Sequence, residues 1–349
     1  MRGKKREKAR QKFVLVIKRN IKLNNMNINL DNVLDAAVRA SKVAGGIILT
    51  SLRERHQAHV ARRRGGASDD ALGLEEKSSP ADLVTKYDKQ CEEVILQLLT
   101  SQFPKFDIVS EEMHSERVLT DRPTWIIDPI DGTTSFVHGL FDCCVSIGMT
   151  YQKEPLVGVV FVPALNELFT AIKGRGAFLN GQPISVSGCT DIRKSLVCTH
   201  IPYNRHVSAI QAVLDVNKEL AVQYQVHGIR SYGSCAMDMC SVACGRLDLY
   251  FEVGVQLWDM AAATVIVREA GGIVTNVDEL NSSIGIPQTT KIGGLESKVD
   301  VTLDQRCTAN SFLTSRGMAT GASRELVEVA VTLSNKYKLR EFVLFPSKL

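Results

Sequence analysis

The chain has 349 residues, 44% hydrophobic and 23% charged, which is the balance of a globular protein able to bury one large core or two smaller ones. No apolar run approaches the roughly 18 residues of a membrane span, and Phe13 to Ile17 is too short for a signal-peptide core. The net charge of +4 misleads: residues 1–30 carry ten Lys/Arg and one acid, a local +9, and subtracting it leaves −5 for the remainder.

A mildly acidic body with a basic tail argues against nucleic acid as the main partner. The tail reads as a solvated, disordered extension; organelle import and binding to nucleic acid or anionic lipid are the alternatives. The nine cysteines form no Cys-x-x-Cys pair, and Cys143, Cys144, Cys198, Cys240 and Cys244 fall in apolar stretches. That usage predicts reduced, buried thiols in a cytoplasmic protein. The seven histidines are scattered, which argues against zinc.

In chain order, residues 31–52 predict an amphipathic helix, with Leu34, Ala37, Val38, Ala44, Ile48 and Leu52 at helical spacing. Residues 53–79 break that pattern and read as a surface loop. Residues 88–103 resume helix, with Asp88 as its N-cap. Short strands follow at Phe106 to Val109 and Trp125 to Ile127, then at Val145 to Tyr151, Leu156 to Val162 and Glu167 to Ile172. Asn180-Gly181 predicts a hairpin turn between Ala177-Phe178 and Ile184 to Val186. Beyond residue 188, strands at Leu196 to Thr199, Leu247 to Phe251 and Ile273 to Thr275 alternate with helices at 206–219, 234–244 and 258–269. Residues 278–306 read as an irregular insertion, and 323–337 as a last amphipathic helix. The pattern is α+β and layered. Its expected divisions are a basic extension at 1–30, an N-terminal part at 31–187 and a C-terminal part at 188–349.

The chemistry concentrates in Trp125-Ile-Ile-Asp-Pro-Ile-Asp-Gly-Thr-Thr134. Asp128 and Asp131 stand at the mouth of a buried strand and repel each other unless a cation holds them. The amides of the following turn suit an anion such as phosphate. Glu111-Glu112 follow another strand, Asp82 precedes the second helix, and Trp258-Asp259 opens a later one. Taken singly, each acid reads as a cap or a loop. Together they form an oxygen-only set suited to Mg²⁺ or Mn²⁺.

Two segments, Trp125 to Gly139 and Trp258 to Gly272, make the chain resemble the inositol monophosphatase family, within the lithium-sensitive, magnesium-dependent sugar and inositol phosphatases. The resemblance covers about residues 31–277. It implies a layered αβαβα sandwich, a homodimer, and hydrolysis of an inositol monophosphate by metal-activated water. It further implies two or three Mg²⁺ ions, with Li⁺ as inhibitor. By the same resemblance, Glu111, Asp128 and the Ile130 carbonyl hold the first ion, and Asp128, Asp131 and Asp259 the second. Thr133, supported by Asp82, orients the attacking water. The amides of Gly132 and Thr133 cradle phosphate, and Asp131, Gly233, Ser234, Cys235 and Glu252 meet the substrate's hydroxyls. Fructose 1,6-bisphosphate, a nucleotide 3′-phosphate, an inositol polyphosphate and histidinol phosphate stay open as substrates, because the motif is shared among relatives. Four positions depart from the family pattern. Ser135 stands for Asn, Ser110 for Gly before the acidic pair, Ala263 for Gly inside the helix, and Asp142 brings a charge expected at the rim or a subunit contact.

Overall fold

A computed structural model describes residues 28–62, 75–76, 83–277 and 316–344. Helix α1 spans Leu30–Arg62. Asn29 caps it, its side-chain oxygen accepting from the amides of Asp31 (2.9 Å) and Asn32 (3.4 Å). Val33, Ala37, Ala40, Ala44 and Ile48 are fully buried, so small residues let the helix lie close to its neighbours. The helix continues ten residues past the expected stop at 52, because Arg53 onward has no apolar stripe to announce it. Of the loop expected at 53–79, residues 63–74 and 77–79 lie outside the described residues. Strands β1 (Glu75–Glu76) and β2 (Leu83–Val84) pair antiparallel. Helix α2 (Lys86–Gln102) begins with a capping box in which Thr85 is the N-cap and Asp88 the N3 partner. Asp88 was expected to be the cap itself.

Seven strands then form one sheet in sequence order: β3 (Asp107–Ser110), β4 (Thr124–Asp131), β5 (Cys144–Tyr151), β6 (Glu154–Val162), β7 (Glu167–Ile172), β8 (Ala177–Leu179) and β9 (Gln182–Pro183). β3 and β4 run parallel, and every later pair is antiparallel. At the predicted turn Asn180 (φ 49°) and Gly181 (φ 78°) both take the left-handed backbone that a tight two-residue turn demands, but the second strand is Gln182–Pro183 rather than the expected Ile184 to Val186, which lies beyond it in the loop. A short helix, α3 (Thr133–His138), leaves the end of β4.

The second half comprises β10 (Leu196–Cys198), α4 (Val207–Val222), β11 (Gly228–Arg230), α5 (Cys235–Ala243), β12 (Leu249–Val253), α6 (Leu257–Glu269), β13 (Ile273–Asn276), β14 (Gly317–Gly321), α7 (Arg324–Lys336) and α8 (Leu339–Leu344). The five strands order as β11-β10-β12-β14-β13. β11, β14 and α8 had no sequence signal. The insertion expected at 278–306 lies outside the described residues.

Three apolar cores define the layers. α1 and α2 cover one face of the seven-stranded sheet. α5 and α6 fill the space between the sheets. α4, α7 and α8 cover the far face of the five-stranded sheet. This is the αβαβα sandwich the resemblance implied. Helix α6 lies directly on β5 and β6: a Cβ at Gly158 would come within 2.1 Å of the Ala262 carbonyl oxygen. Ala263, where glycine is usual, is fully buried in the same helix. The close approach brings the N-terminus of α6 to the end of β4, where the acidic residues gather.

Candidate metal and phosphate site

Asp128 and Asp131 reach one volume because β4 bulges. Asp128 pairs with Ser146 and Asp131 with Cys144, so three residues on β4 advance against two on β5. Ile130 sits inside this bulge, its amide donating to Asp128 Oδ1 (3.0 Å). Asp259, on the first turn of α6, completes the group: carboxylate oxygens of Asp128, Asp131 and Asp259 lie within 4.8 Å of one another. Glu111 joins them from the end of β3, where its amide continues the parallel pairing onto the Ile127 carbonyl (3.1 Å). Its carboxyl group bonds to Asp128.

Burial, then the neighbouring charges of Glu111, Asp131 and Asp259, push the Asp128 carboxyl well above its ordinary range. Burial, followed by Asp131 and Glu111, does the same to Asp259. Asp131 is raised by burial to about 7, although hydrogen bonds from Ser234 and Ala236 pull the other way. An all-oxygen, self-repelling set, with Asp128 and Asp131 buried and Asp259 half-buried, fits a hard divalent cation.

Beside the cluster, the Thr133 hydroxyl is shared between the Ile130 carbonyl (3.1 Å) and Asp88 Oδ1 (3.2 Å). The carboxylate beside Thr133 is therefore Asp88; the expected partner, Asp82, lies outside the described residues. Asp88 works at both oxygens, because Oδ2 accepts from the Thr85 amide (2.8 Å) and hydroxyl (2.6 Å). Reading it as a helix cap accounted for only one of them. A second acid the sequence reading missed is Glu92, fully buried on α2. It accepts from the Ser110 hydroxyl (2.6 Å) and from the amides of Glu112 (2.9 Å) and Met113 (2.8 Å). It thus fixes the turn that carries Glu111 and gives Ser110 a partner where glycine is usual.

Asp131 Oδ2 accepts from the Ser234 hydroxyl (2.6 Å) and the Ala236 amide (2.6 Å) at the start of α5. Ser234 is fully buried, and its hydroxyl serves Asp131. Gly132 turns the chain from β4 into α3 at φ 88°, and a Cβ there would meet the Asp142 carbonyl oxygen at 2.8 Å. The other two departures explain each other. The Ser135 hydroxyl donates to Asp142 Oδ2 (2.9 Å), and both residues are buried. Asp142 is an internal partner behind the Gly132 turn rather than a rim charge. The pair also packs against Gly233, whose Cβ would fall 2.3 Å from Ser135 Oγ.

These groups open into a cavity of about 600 Å³ lined by Glu111, Asp128, Ile130, Asp131, Gly132, Thr133 and Asp259, with Tyr203, Arg316 and Leu344 among the other walls. A second space of about 270 Å³ shares Asp131, Tyr203 and Asp259 with it, and adds Gly233, Cys235, Glu252 and His200. The expected hydroxyl-contact residues Gly233, Cys235 and Glu252 thus line this second space.

Three comparisons bear on this arrangement. The model of the inositol monophosphatase family matches residues 29–324. Inositol monophosphatase 3 of Solanum lycopersicum is 42% identical over 253 residues, covering 71% of this chain and 87% of the relative. Inositol monophosphatase 1 of Xenopus laevis is 40% identical over 241 residues, 68% of this chain and 80% of the relative. Among solved structures, the extragenic suppressor protein suhB of Bartonella henselae superposes with a TM-score of 0.67 at 28% identity, over 87% of this chain and 99% of that one. The Thermotoga maritima IMPase gives 0.65 at 26% identity, over 88% and 99%. With the acidic cluster, the glycine turn and the five layers all in place, the chain belongs to the inositol monophosphatase family.

Proposed function

We propose that this protein hydrolyses an inositol monophosphate to inositol and phosphate with Mg²⁺ as cofactor. The observation that carries the proposal is the convergence of Asp128, Asp131 and Asp259 beside the Thr133–Asp88 pair in one cavity. Glu111, Asp128 and the Ile130 carbonyl would hold one Mg²⁺, and Asp128, Asp131 and Asp259 a second; a third ion would sit near Glu111. Bound there, Mg²⁺ supplies a lowered water pKa and neutralises charge on the phosphoryl oxygens and the leaving alkoxide.

The chain's own groups do the rest. The amides of Gly132 and Thr133 hold phosphate oxygens on the cavity wall. Thr133 Oγ1 accepts the hydrogen bond and then the proton of the attacking water as its own proton passes to Asp88 Oδ1, so the water's lone pair is aimed at phosphorus. The support at Asp88 Oδ2 from Thr85 keeps that carboxylate fixed. Glu252, Gly233 and Cys235 receive the hydroxyl-bearing ring in the adjoining space. The relatives' names favour an inositol ester over the other phosphate esters.

The same reading extends to Li⁺ inhibition at the Asp131–Asp259 side, to a homodimer, and to a cytoplasmic setting, which the free state of every described cysteine suits. The two halves, 31–187 and 188–349, would each contribute to the site, the first through β4 and the second through α5 and α6. The test is phosphate release from myo-inositol 1-phosphate with and without Mg²⁺, beside fructose 1,6-bisphosphate and a nucleotide 3′-phosphate, and with and without Li⁺. Mg²⁺-dependent turnover strongest on the inositol ester is expected. Turnover mainly on another ester would overturn the substrate, and turnover without a divalent ion would overturn the mechanism.

A further inference from the structure

His200 lies between two carboxylates. Its Nε2 is 2.7 Å from Asp238 Oδ2 on α5, and its Nδ1 is 3.0 Å from Glu252 Oε2 on β12. Each ring nitrogen faces an acceptor, so both carry protons and the ring is an imidazolium. The other groups around it are the Cys198 thiol, 3.7 Å from Nε2 and 3.4 Å from Asp238 Oδ2, and the Tyr250 ring at 5.5 Å between centroids. Tyr203 lines the same cavity. Cys198, His200 and Asp238 could suggest a metal group, but 2.7 Å between nitrogen and oxygen is a proton-sharing distance with no room for an ion between them.

The two ends of this chain of contacts differ. Asp238 is fully buried, and its Oδ1 has no hydrogen-bond partner, so the imidazolium is its main compensation. Glu252 borders the cavity. The Tyr250 hydroxyl and His200 Nδ1 both converge on its Oε2, which leaves Oε1 for a ligand. We propose that His200 is a positioning residue for substrate recognition: anchored by Asp238 at Nε2, it holds Glu252 from Nδ1 so that Oε1 accepts a ring hydroxyl of a cyclic polyol phosphate. This rests on the proposed inositol phosphatase reading and adds the device that makes it selective for the polyol. Burial would raise the Glu252 carboxyl, but the His200 charge together with hydrogen bonds from His200 and Tyr250 keeps Glu252 below its ordinary range. Burial would likewise lower His200, but Glu252 and Asp238 hold it well above its ordinary value.

The two ring nitrogens can be replaced one at a time. A glutamine amide reaches the Nε2 position and keeps the bond to Asp238 but not the bond to Glu252. An asparagine amide reaches the Nδ1 position and does the reverse. With wild-type turnover of myo-inositol 1-phosphate as the control, His200→Gln should raise KM for that ester roughly tenfold, the loss of one charge-assisted hydrogen bond. Its kcat should change far less, and KM for 4-nitrophenyl phosphate, which has no hydroxyl, should stay put. His200→Asn should show the smaller KM change and the larger fall in Tm. Equal KM changes on both esters, or none, in a folded His200→Gln would overturn the proposal. A wild type that does not favour the inositol ester would instead overturn the functional reading beneath it.

Should either variant fail to fold, the wild-type protein carries the test. Its His200 ring N–H protons should give two low-field resonances, and inositol added with Mg²⁺ and phosphate should shift the Nδ1 proton more than the Nε2 proton. An Nδ1 resonance indifferent to inositol would overturn the proposal.

Discussion

The two ends of the cavity handle buried negative charge in opposite ways. At the phosphate end, Asp128, Asp131, Asp259 and Glu111 press against one another, and burial and mutual repulsion raise the carboxyl groups of the three aspartates. At the ring end, Asp238 and Glu252 share the His200 cation, and Glu252 stays below its ordinary range. The first end suits an external cation. The second is neutralised largely from within and is suited to neutral hydroxyl groups. A metal-dependent phosphatase of polyols needs both, because its substrate is a dianion at one end and an uncharged ring at the other.

Removing a carboxylate from the repelling end should have the largest effect. Asp128→Asn is expected to lower kcat/KM at least about a thousandfold, about 4 kcal/mol of transition-state stabilisation. The metal-free variant should melt no lower than the wild type, because one repelling charge is gone. Steady-state kinetics and a melting curve without divalent ions check both halves, and a variant that keeps a tenth of wild-type turnover would remove Asp128 from the metal assignment.

Asp88→Asn comes next. It should cut kcat by about a hundredfold with KM little changed, the scale of a general acid–base partner. Its capping contact with Thr85 should weaken too, by about 1 kcal/mol of stability. Unchanged kcat with the stability loss alone would reduce Asp88 to a structural cap. Ser135→Ala leaves Asp142 Oδ2 without its hydroxyl and should cost about 1–2 kcal/mol, seen as a Tm drop of about 2–8 °C. No drop would mean the Ser135–Asp142 bond adds nothing to the turn.

The smallest expected effect is a pH dependence that sharpens the contrast between the two ends. The Asp131 carboxyl is raised to about 7 in the metal-free protein, above its unfolded value. The stability it contributes is full below the unfolded pKa and is lost as pH rises through about 7. Bound Mg²⁺ offsets that loss, so the Tm gain on adding Mg²⁺ should be larger at pH 8 than at pH 5. A gain that shrinks with rising pH would contradict the sign.

The repelling end was legible in the sequence because its residues sit in two contiguous motifs. Asp128, Ile130 and Asp131 share one strand end, and Asp259 opens a helix behind a tryptophan. The supporting acids were not legible, since each is read through a partner far along the chain. Asp88 meets Thr133 45 residues later, and Glu92 holds a turn some 20 residues on. His200 looked like one more scattered histidine until the fold brought Asp238 and Glu252 to its two nitrogens. The same physics hid parts of the fold. The strand Gly317–Gly321 has no β-branched run apart from one threonine, and it forms because β12 and β13 pair with it on either side. The end of α1 was missed because residues beyond 52 carry no apolar periodicity, while the Asn180-Gly181 hairpin was found because its backbone demand is local.

The proposed binding of a divalent ion by Asp128, Asp131 and Asp259 underlies both ends of this comparison. It is tested most directly by anomalous diffraction from crystals grown with Mn²⁺ in place of Mg²⁺. An anomalous peak within about 2.0–2.4 Å of oxygens from all three carboxylates is expected. A well-ordered site with no peak at those carboxylates, or with manganese bound only elsewhere, would contradict it.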